Sequence, residues 1–290
     1  MGFSKSCLLI LCCSLLIIFS CGKDEIKDSP VIPVDDEILL DIDDNANYLN
    51  EKSDYIFDDD KLLTFNLSLP SAALNIIDSD PAAEEYVEGS LSFEGETLQK
   101  VGIRYKGSIG SFVNCLSSRD WVNPSGFKTC TKLSMKVKIN WLDSDDKFYG
   151  LKKLQFHSMN NDDSQLRERL GYALFREMGV PAPRSVHAKL YINGKYSGLY
   201  ALTEQIDGRF TKQNFEDGDG NLYKEIWPLR DIGKPYPEDD YKDALKTNED
   251  ENPTVAQMMS FAQDLAEAKN EELKEVVEKW MKVDEIMSYI

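Results

Sequence analysis

Lys132-Leu133-Ser134-Met135-Lys136-Val137-Lys138-Ile139-Asn140-Trp141 alternates without a break, with Leu133, Met135, Val137, Ile139 and Trp141 on one side and Lys132, Ser134, Lys136, Lys138 and Asn140 on the other. Successive side chains of a strand point to opposite faces, so the stretch predicts a strand with one apolar and one wholly polar face. Upstream, Leu63, Phe65, Leu67 and Leu69 alternate in the same way until Pro70, which has no N–H to give to a sheet. Leu91 to Phe93 and Thr97 to Arg104 flank Glu94-Gly95-Glu96 and read as a hairpin. Downstream, Asp162-Asp163-Ser164-Gln165 is a capping-box start for a helix with apolar residues at Leu166, Leu170, Ala173 and Leu174, stopped by Gly179 and Pro181. Asn193-Gly194 joins Lys189 to Ile192 and Lys195 to Leu202, and supplies the two positive-φ positions of a tight hairpin. Beyond Gln205 helical spacing takes over, at 255–269, 273–282 and 283–290. The fold class is α+β.

The chain has 290 residues, 42% hydrophobic and 29% charged, enough for one large domain or two small ones. Its 51 acidic side chains outnumber 33 basic ones, for a net charge of −18. A field of that sign repels polyanions, which excludes nucleic-acid partners.

Residues 1–20 form a separate object: Lys5, then an apolar run from Leu8 to Phe19 too short to span a bilayer. Ile18-Phe19-Ser20-Cys21 resembles a bacterial lipobox, which implies removal of the signal, lipidation of Cys21 and attachment to the membrane. Gly22-Lys23-Asp24-Glu25 resembles the signal that sends Bacteroidetes lipoproteins across the outer membrane to the cell surface. Residues 21–61 carry Pro30, Pro33 and acid clusters at Asp35-Asp36-Glu37, Asp41 to Asp44 and Asp58-Asp59-Asp60, and read as a self-repelling spacer. Of six cysteines, Cys7, Cys12 and Cys13 leave with the signal and Cys21 is lipidated. Cys115 and Cys130 remain as a pair, and in an oxidising compartment they form a disulfide. His157 and His187 show no zinc-ligand spacing with them, and both are read as structural.

The order of elements is a run of strands, the last with a lysine-rich face, then a helix, two strands, a connector and helices. A protein-kinase small lobe has that order, built as an antiparallel sheet with one main helix. In such a lobe a strand lysine reaches the nucleotide phosphates and a helix glutamate holds that lysine. The corresponding division is a small lobe at 62–203, followed at 204–290 by a connector and the start of a helical large lobe.

Five stretches in order carry a closer resemblance: Val101 to Ser108, Lys132 to Lys138, Asp163 to Leu174 with its Leu-Arg-Glu-Arg-Leu core, Tyr191 through Asp207, and Asn221-Leu222-Tyr223-Lys224. Together they resemble the spore-coat protein H (CotH) kinase family over residues 62–290. The resemblance implies an atypical secreted kinase that binds ATP with a divalent metal, Mg2+, and phosphorylates hydroxyls of a protein substrate.

Carried onto this sequence, Lys106 to Ser111 stands where the family has an Arg-Gly-Asn-Ser loop, with lysine in place of arginine and no asparagine after Gly107. Lys106 and Ser108 are therefore nucleotide-binding candidates. Lys132 and Lys136 are alternative phosphate lysines, with Lys136 preferred as deeper in its strand. Glu168 is the candidate partner of that lysine, Arg104 a further cation near the phosphates, and Glu204 a contact on the adenine side. The family's catalytic Asn-x-Asp and Trp-Asp-x-Asp motifs, which also supply metal ligands, are expected beyond Ile290. The alternative expectation is a cell-surface lipoprotein that uses the same scaffold for adhesion or ligand binding.

Overall fold

A computed structural model describes residues 52–107, 112, 114–120, 122–248 and 253–287. The signal segment, the lipobox with Cys21, most of the acidic spacer and Ser108 lie outside the described residues.

Seven strands form one closed barrel: β1 (Leu63–Ser68), β2 (Val87–Phe93), β3 (Glu96–Tyr105), β4 (Met135–Lys138), β5 (Lys153–His157), β6 (Ser185–Ile192) and β7 (Lys195–Thr203), in the spatial order β1-β2-β3-β4-β5-β7-β6. Every neighbouring pair is antiparallel except β1 and β6, which run parallel with Phe65 opposite Leu190. The expected antiparallel sheet is thus corrected to a mixed, closed one. Closure leaves no free edge, and the parallel seam is how a first and a sixth strand can meet after a helical crossover.

The alternating apolar residues fill the barrel. Phe65, Leu67, Phe93, Ile103, Met135, Val137 and Phe156 are all at most 3% exposed. Their rings interlock, with Phe65 stacked on Phe93 at 4.7 Å and edge-on to Phe156 at 5.3 Å between centroids. Each such burial contributes about 1.5–3 kcal/mol. Ile56 and Phe57 join the same core, so the last residues of the stretch read as a spacer belong to the folded unit.

Both hairpins turn as expected, with positive φ at Glu94, Gly95, Asn193 and Gly194. At Gly89 the β2–β3 register shifts, and a Cβ there would lie 2.6 Å from Ile103 and 2.8 Å from the carbonyl oxygen of Ser68, so only glycine lets the strands close at that point. Cys115 and Cys130 form a disulfide with Cα atoms 4.7 Å apart. The β4 strand is shorter than its alternation, beginning only at Met135.

Seven helices accompany the barrel among the described residues: α1 (Ser71–Ser79), α2 (Arg167–Glu177), α3 (Gly208–Asn214), α4 (Glu238–Ala244), α5 (Ala256–Glu267), α6 (Leu273–Trp280) and α7 (Val283–Met287). Asp162 Oδ2 accepts from Arg167 N at 2.8 Å and Ser164 Oγ from Leu166 N at 3.2 Å, so the expected cap satisfies the start of α2 through the preceding turn. The apolar residues of α2 do not form a core face: Leu170 and Leu174 are 58% and 62% exposed, and no α2 residue is fully buried. A smaller core of Tyr241, Val255 and Ala262 ties α4 and α5 to the connector, where Tyr241 donates to Pro228 O at 2.6 Å.

Candidate functional site

Strand register builds the site. Met135 and Val137 point into the barrel, so Lys136 and Lys138 point out. Arg104 on β3 lies opposite Lys136, Lys136 opposite Gln155 on β5, and Lys138 opposite Lys153. Lys106 follows β3, its N–H donating to Ser134 O at 2.9 Å. The outer polar face of three strands therefore gathers cations in a row. With the start of α2, the connector and α4 it encloses a cavity of about 1220 Å3, which Lys224 also lines.

A hydrogen-bonded chain links that face to α2. Lys106 Nζ donates to Gln155 Oε1 at 2.8 Å and to His157 Nε2 at 2.7 Å, while His157 Nδ1 meets Glu168 Oε1 at 2.5 Å. Thr203 donates to the same carboxylate oxygen at 2.9 Å. An ammonium only donates and a carboxylate only accepts, which assigns His157 as the neutral tautomer with its proton on Nδ1. Glu168 thus holds Lys106 through a histidine and not by direct contact.

The cations are crowded and largely out of water. Burial, then the charges of Lys153, Arg104, Lys106 and Lys224, push Lys136 down to about 7. Burial also lowers Lys106 to about 8, against the pull of Glu168 and Glu84. Burial alone would raise Glu168, but the hydrogen bonds from His157 and Thr203 and the charge of Lys106 outweigh it and hold the carboxyl below its ordinary value. Glu84 pairs with Arg104 and accepts from Gly107 N at 3.2 Å, fixing the start of the loop after β3. Two buried polar atoms on the cavity-lining residues have no partner among the described residues: Arg104 Nε, a donor, and Gln205 Oε1, an acceptor.

Of the residues singled out from sequence, Arg104, Lys106, Lys136 and Glu168 line this one cavity. Lys132 does not: it precedes β4, donates to Leu199 O at 2.5 Å and lies over the Tyr200 ring at 4.8 Å. Glu204 is also displaced from the expected role. Its side chain is 3% exposed and is spent on Arg184, at 2.6 Å, and Arg209, at 3.0 Å. Gln205, one residue later, is the one that reaches the cavity. His157, Gln155, Lys153 and Glu84 were missed. The alternation of Lys153-Leu154-Gln155-Phe156-His157 was the available signal for the first three.

The cavity suits a polyphosphate. On the strand side, Arg104, with its unpartnered Nε–H, crowds with Lys106, Lys136, Lys153 and Lys224 into a donor set that phosphate oxygens satisfy, while Asp162, Asp207, Glu225, Asp240 and Asp243 also line the cavity. It does not suit a metal ion by itself: among the described residues no three His, Cys, Asp or Glu side chains converge as ligands.

Comparison with known proteins gives one family and one relative. Residues 103–290 match the family described as CotH kinase protein. A stretch of 63 residues is 36% identical to the inner spore coat protein H-like protein of Bacillus subtilis (strain 168), covering 22% of this chain and 20% of that protein. The chain thus aligns with about a fifth of that relative's length.

Proposed function

The chain belongs to the CotH kinase family, and from that premise we propose that it binds ATP with its phosphates on the outer face of β3, β4 and β5, as the nucleotide-binding part of a kinase that phosphorylates hydroxyls of a protein substrate. The observation that carries the reading is the crowding at Lys136, whose ammonium is buried among Lys153, Arg104, Lys106 and Lys224. Such an arrangement is costly alone and favourable once an anion enters.

In this reading Lys136 and Lys106 contact the phosphate oxygens and Arg104 donates its free Nε–H to them. Phosphoryl transfer leans on positioning and charge neutralisation, so the rigidity of these groups matters as much as their charge. His157 and Glu168 act through Lys106, fixing its ammonium and linking its position to that of α2. Gln205 Oε1 accepts a hydrogen bond from the nucleoside. ATP supplies the transferable phosphoryl group. No step is assigned to Mg2+, because the described residues hold no ligand set for it.

The lipobox-like sequence ending at Cys21 supports an exported, lipid-anchored protein at the outer surface of the outer membrane. The test of the whole reading is incubation of the protein with ATP labelled at the γ-phosphate, Mg2+ and extracellular proteins of the same cell. Label on serine or threonine, lost in Lys136→Met, supports it. Absence of ATP binding by the folded protein would move the account to the alternative, a surface lipoprotein that binds another ligand on the same scaffold.

A further inference from the structure

Lys106, His157 and Glu168 are arranged for more than holding a phosphate. Glu168 Oε1 accepts from His157 Nδ1 at 2.5 Å, and His157 Nε2 in turn faces Lys106 Nζ at 2.7 Å. A lysine that only gripped phosphate would be served by the carboxylate directly. The interposed ring adds a proton acceptor at Nε2, aimed at the nitrogen and oriented from behind by an acid. A nucleophile, a base within hydrogen-bond reach and a third group that orients the base make a nucleophilic triad, recognised by geometry and roles and not by chain order. Here an amine stands where such triads more often carry a hydroxyl or a thiol.

The hydrogen bonds at Nζ suit the neutral amine. Nζ donates to two acceptors, Gln155 Oε1 at 2.8 Å and His157 Nε2 at 2.7 Å. Those two bonds use both N–H groups of an amine, and the lone pair takes the remaining tetrahedral position. An ammonium in the same place has a third N–H to satisfy, and the described residues give it no partner. The side chain lines the cavity together with Arg104 and Lys136. Burial lowers Lys106 to about 8, helped by the charges of Lys224 and Arg104 and opposed by those of Glu168 and Glu84, so about one-tenth of it is neutral at pH 7. Desolvation and neighbouring cations are what activate a lysine as a nucleophile.

Resting on the ATP reading above, we propose that Lys106 is a nucleophile and that the γ-phosphoryl group of ATP passes through it as a phospholysine. The neutral Nζ attacks the γ-phosphorus, an N–P bond forms, the bond from that phosphorus to the β,γ-bridging oxygen breaks, and ADP leaves with the electron pair. The surplus proton on Nζ moves along the existing hydrogen bond to His157 Nε2, and Glu168 holds the imidazolium so formed. Lys136 and Arg104 balance the charge on the transferring oxygens. In the onward step a substrate hydroxyl attacks the phosphorus and breaks the N–P bond, His157 returns its proton to Nζ, and the hydroxyl proton passes to solvent.

The test is incubation of the full chain with Mg2+ and ATP labelled at the γ-phosphate or, in parallel, at the α-phosphate, quenched in alkali and mapped by mass spectrometry, with ATP binding followed by calorimetry on the same protein. The expected result is γ-label on Lys106 that survives alkali and is lost in acid, the reverse of a serine phosphate. Lys106→Arg keeps the positive charge without a nucleophilic amine and should abolish the label. His157→Gln can still accept from Nζ but is no base, and should slow labelling about a hundredfold. Circular dichroism checks that both variants fold, and the wild-type map decides the matter without them. Bound ATP with no covalent label, label on His157 in place of Lys106, or label from the α-phosphate would each overturn the inference while leaving the ATP reading in place. No ATP binding by the folded protein would overturn both.

Discussion

Nucleotide binding should take up protons, and the amount follows from two lysines. Lys136 is lowered to about 7 by burial and its cationic neighbours, and Lys106 to about 8 by burial. At pH 8 Lys136 is then about one-tenth charged and Lys106 about half charged. A polyphosphate on this face restores both toward ordinary lysine behaviour, so binding at pH 8 draws in roughly 1.4 protons. Lys136→Arg keeps the positive charge but cannot lose its proton, and uptake should fall to about 0.5. The assay is calorimetry of ATP binding at pH 8 in two buffers of different ionisation enthalpy, whose slope gives the protons taken up. Equal uptake by wild type and Lys136→Arg would refute the assignment of Lys136 to the phosphates. The same shift sets the pH dependence of stability without ligand. Between about pH 7 and the ordinary lysine value of 10.5 the unfolded chain binds more protons at this position, so stability should rise with pH through that window and flatten when ATP is bound.

Other expectations concern single side chains. His157→Leu removes the bridge between Lys106 and Glu168 and should weaken ATP binding roughly tenfold, the scale of one lost hydrogen bond to a charged group; unchanged affinity by calorimetry would mean the bridge positions nothing. Glu204→Gln leaves Arg184 and Arg209 facing a neutral, buried amide, and should cost about 3–5 kcal/mol in denaturant unfolding with ATP affinity unaltered once folded; a selective loss of affinity would return Glu204 to the nucleotide site. Cys115→Ser opens the cross-link to Cys130, 15 residues away, and should lose about 3 kcal/mol under oxidising conditions and nothing in reductant. The same loss in both conditions would assign the effect to packing.

Much of the barrel is legible in alternation alone, because its interior is built from period-two apolar residues such as Leu63, Phe65 and Leu67 or Met135 and Val137. The tight turns at Asn193-Gly194 and around Gly95 are legible too, since left-handed backbone favours Asn and Gly. The parallel pairing of β1 with β6 is not, because it joins residues more than a hundred positions apart and leaves no local mark. Nor is the outward face of α2: four apolar residues at helical spacing read as a core face wherever they occur. Among site residues, Lys136 stands out on its polar strand face and is preferred there over Lys132 for its depth in the strand, consistent with β4 beginning only at Met135. His157 was unreadable as a bridge because its two partners, Lys106 and Glu168, converge only when β3, β5 and α2 pack. Glu204 and Gln205 differ by one position at the end of β7, and alternation sends one to the buried arginines and the other to the cavity.

The most direct test of the phosphate site is labelling with an ATP acyl phosphate, which acylates whichever lysine lies against the phosphates, followed by peptide mapping with and without excess ATP. The account predicts ATP-protected labelling at Lys136 and Lys106, both lining the cavity and both partly deprotonated near neutral pH. Protected labelling at Lys132 in their place, or labelling that ATP leaves unchanged, would contradict it.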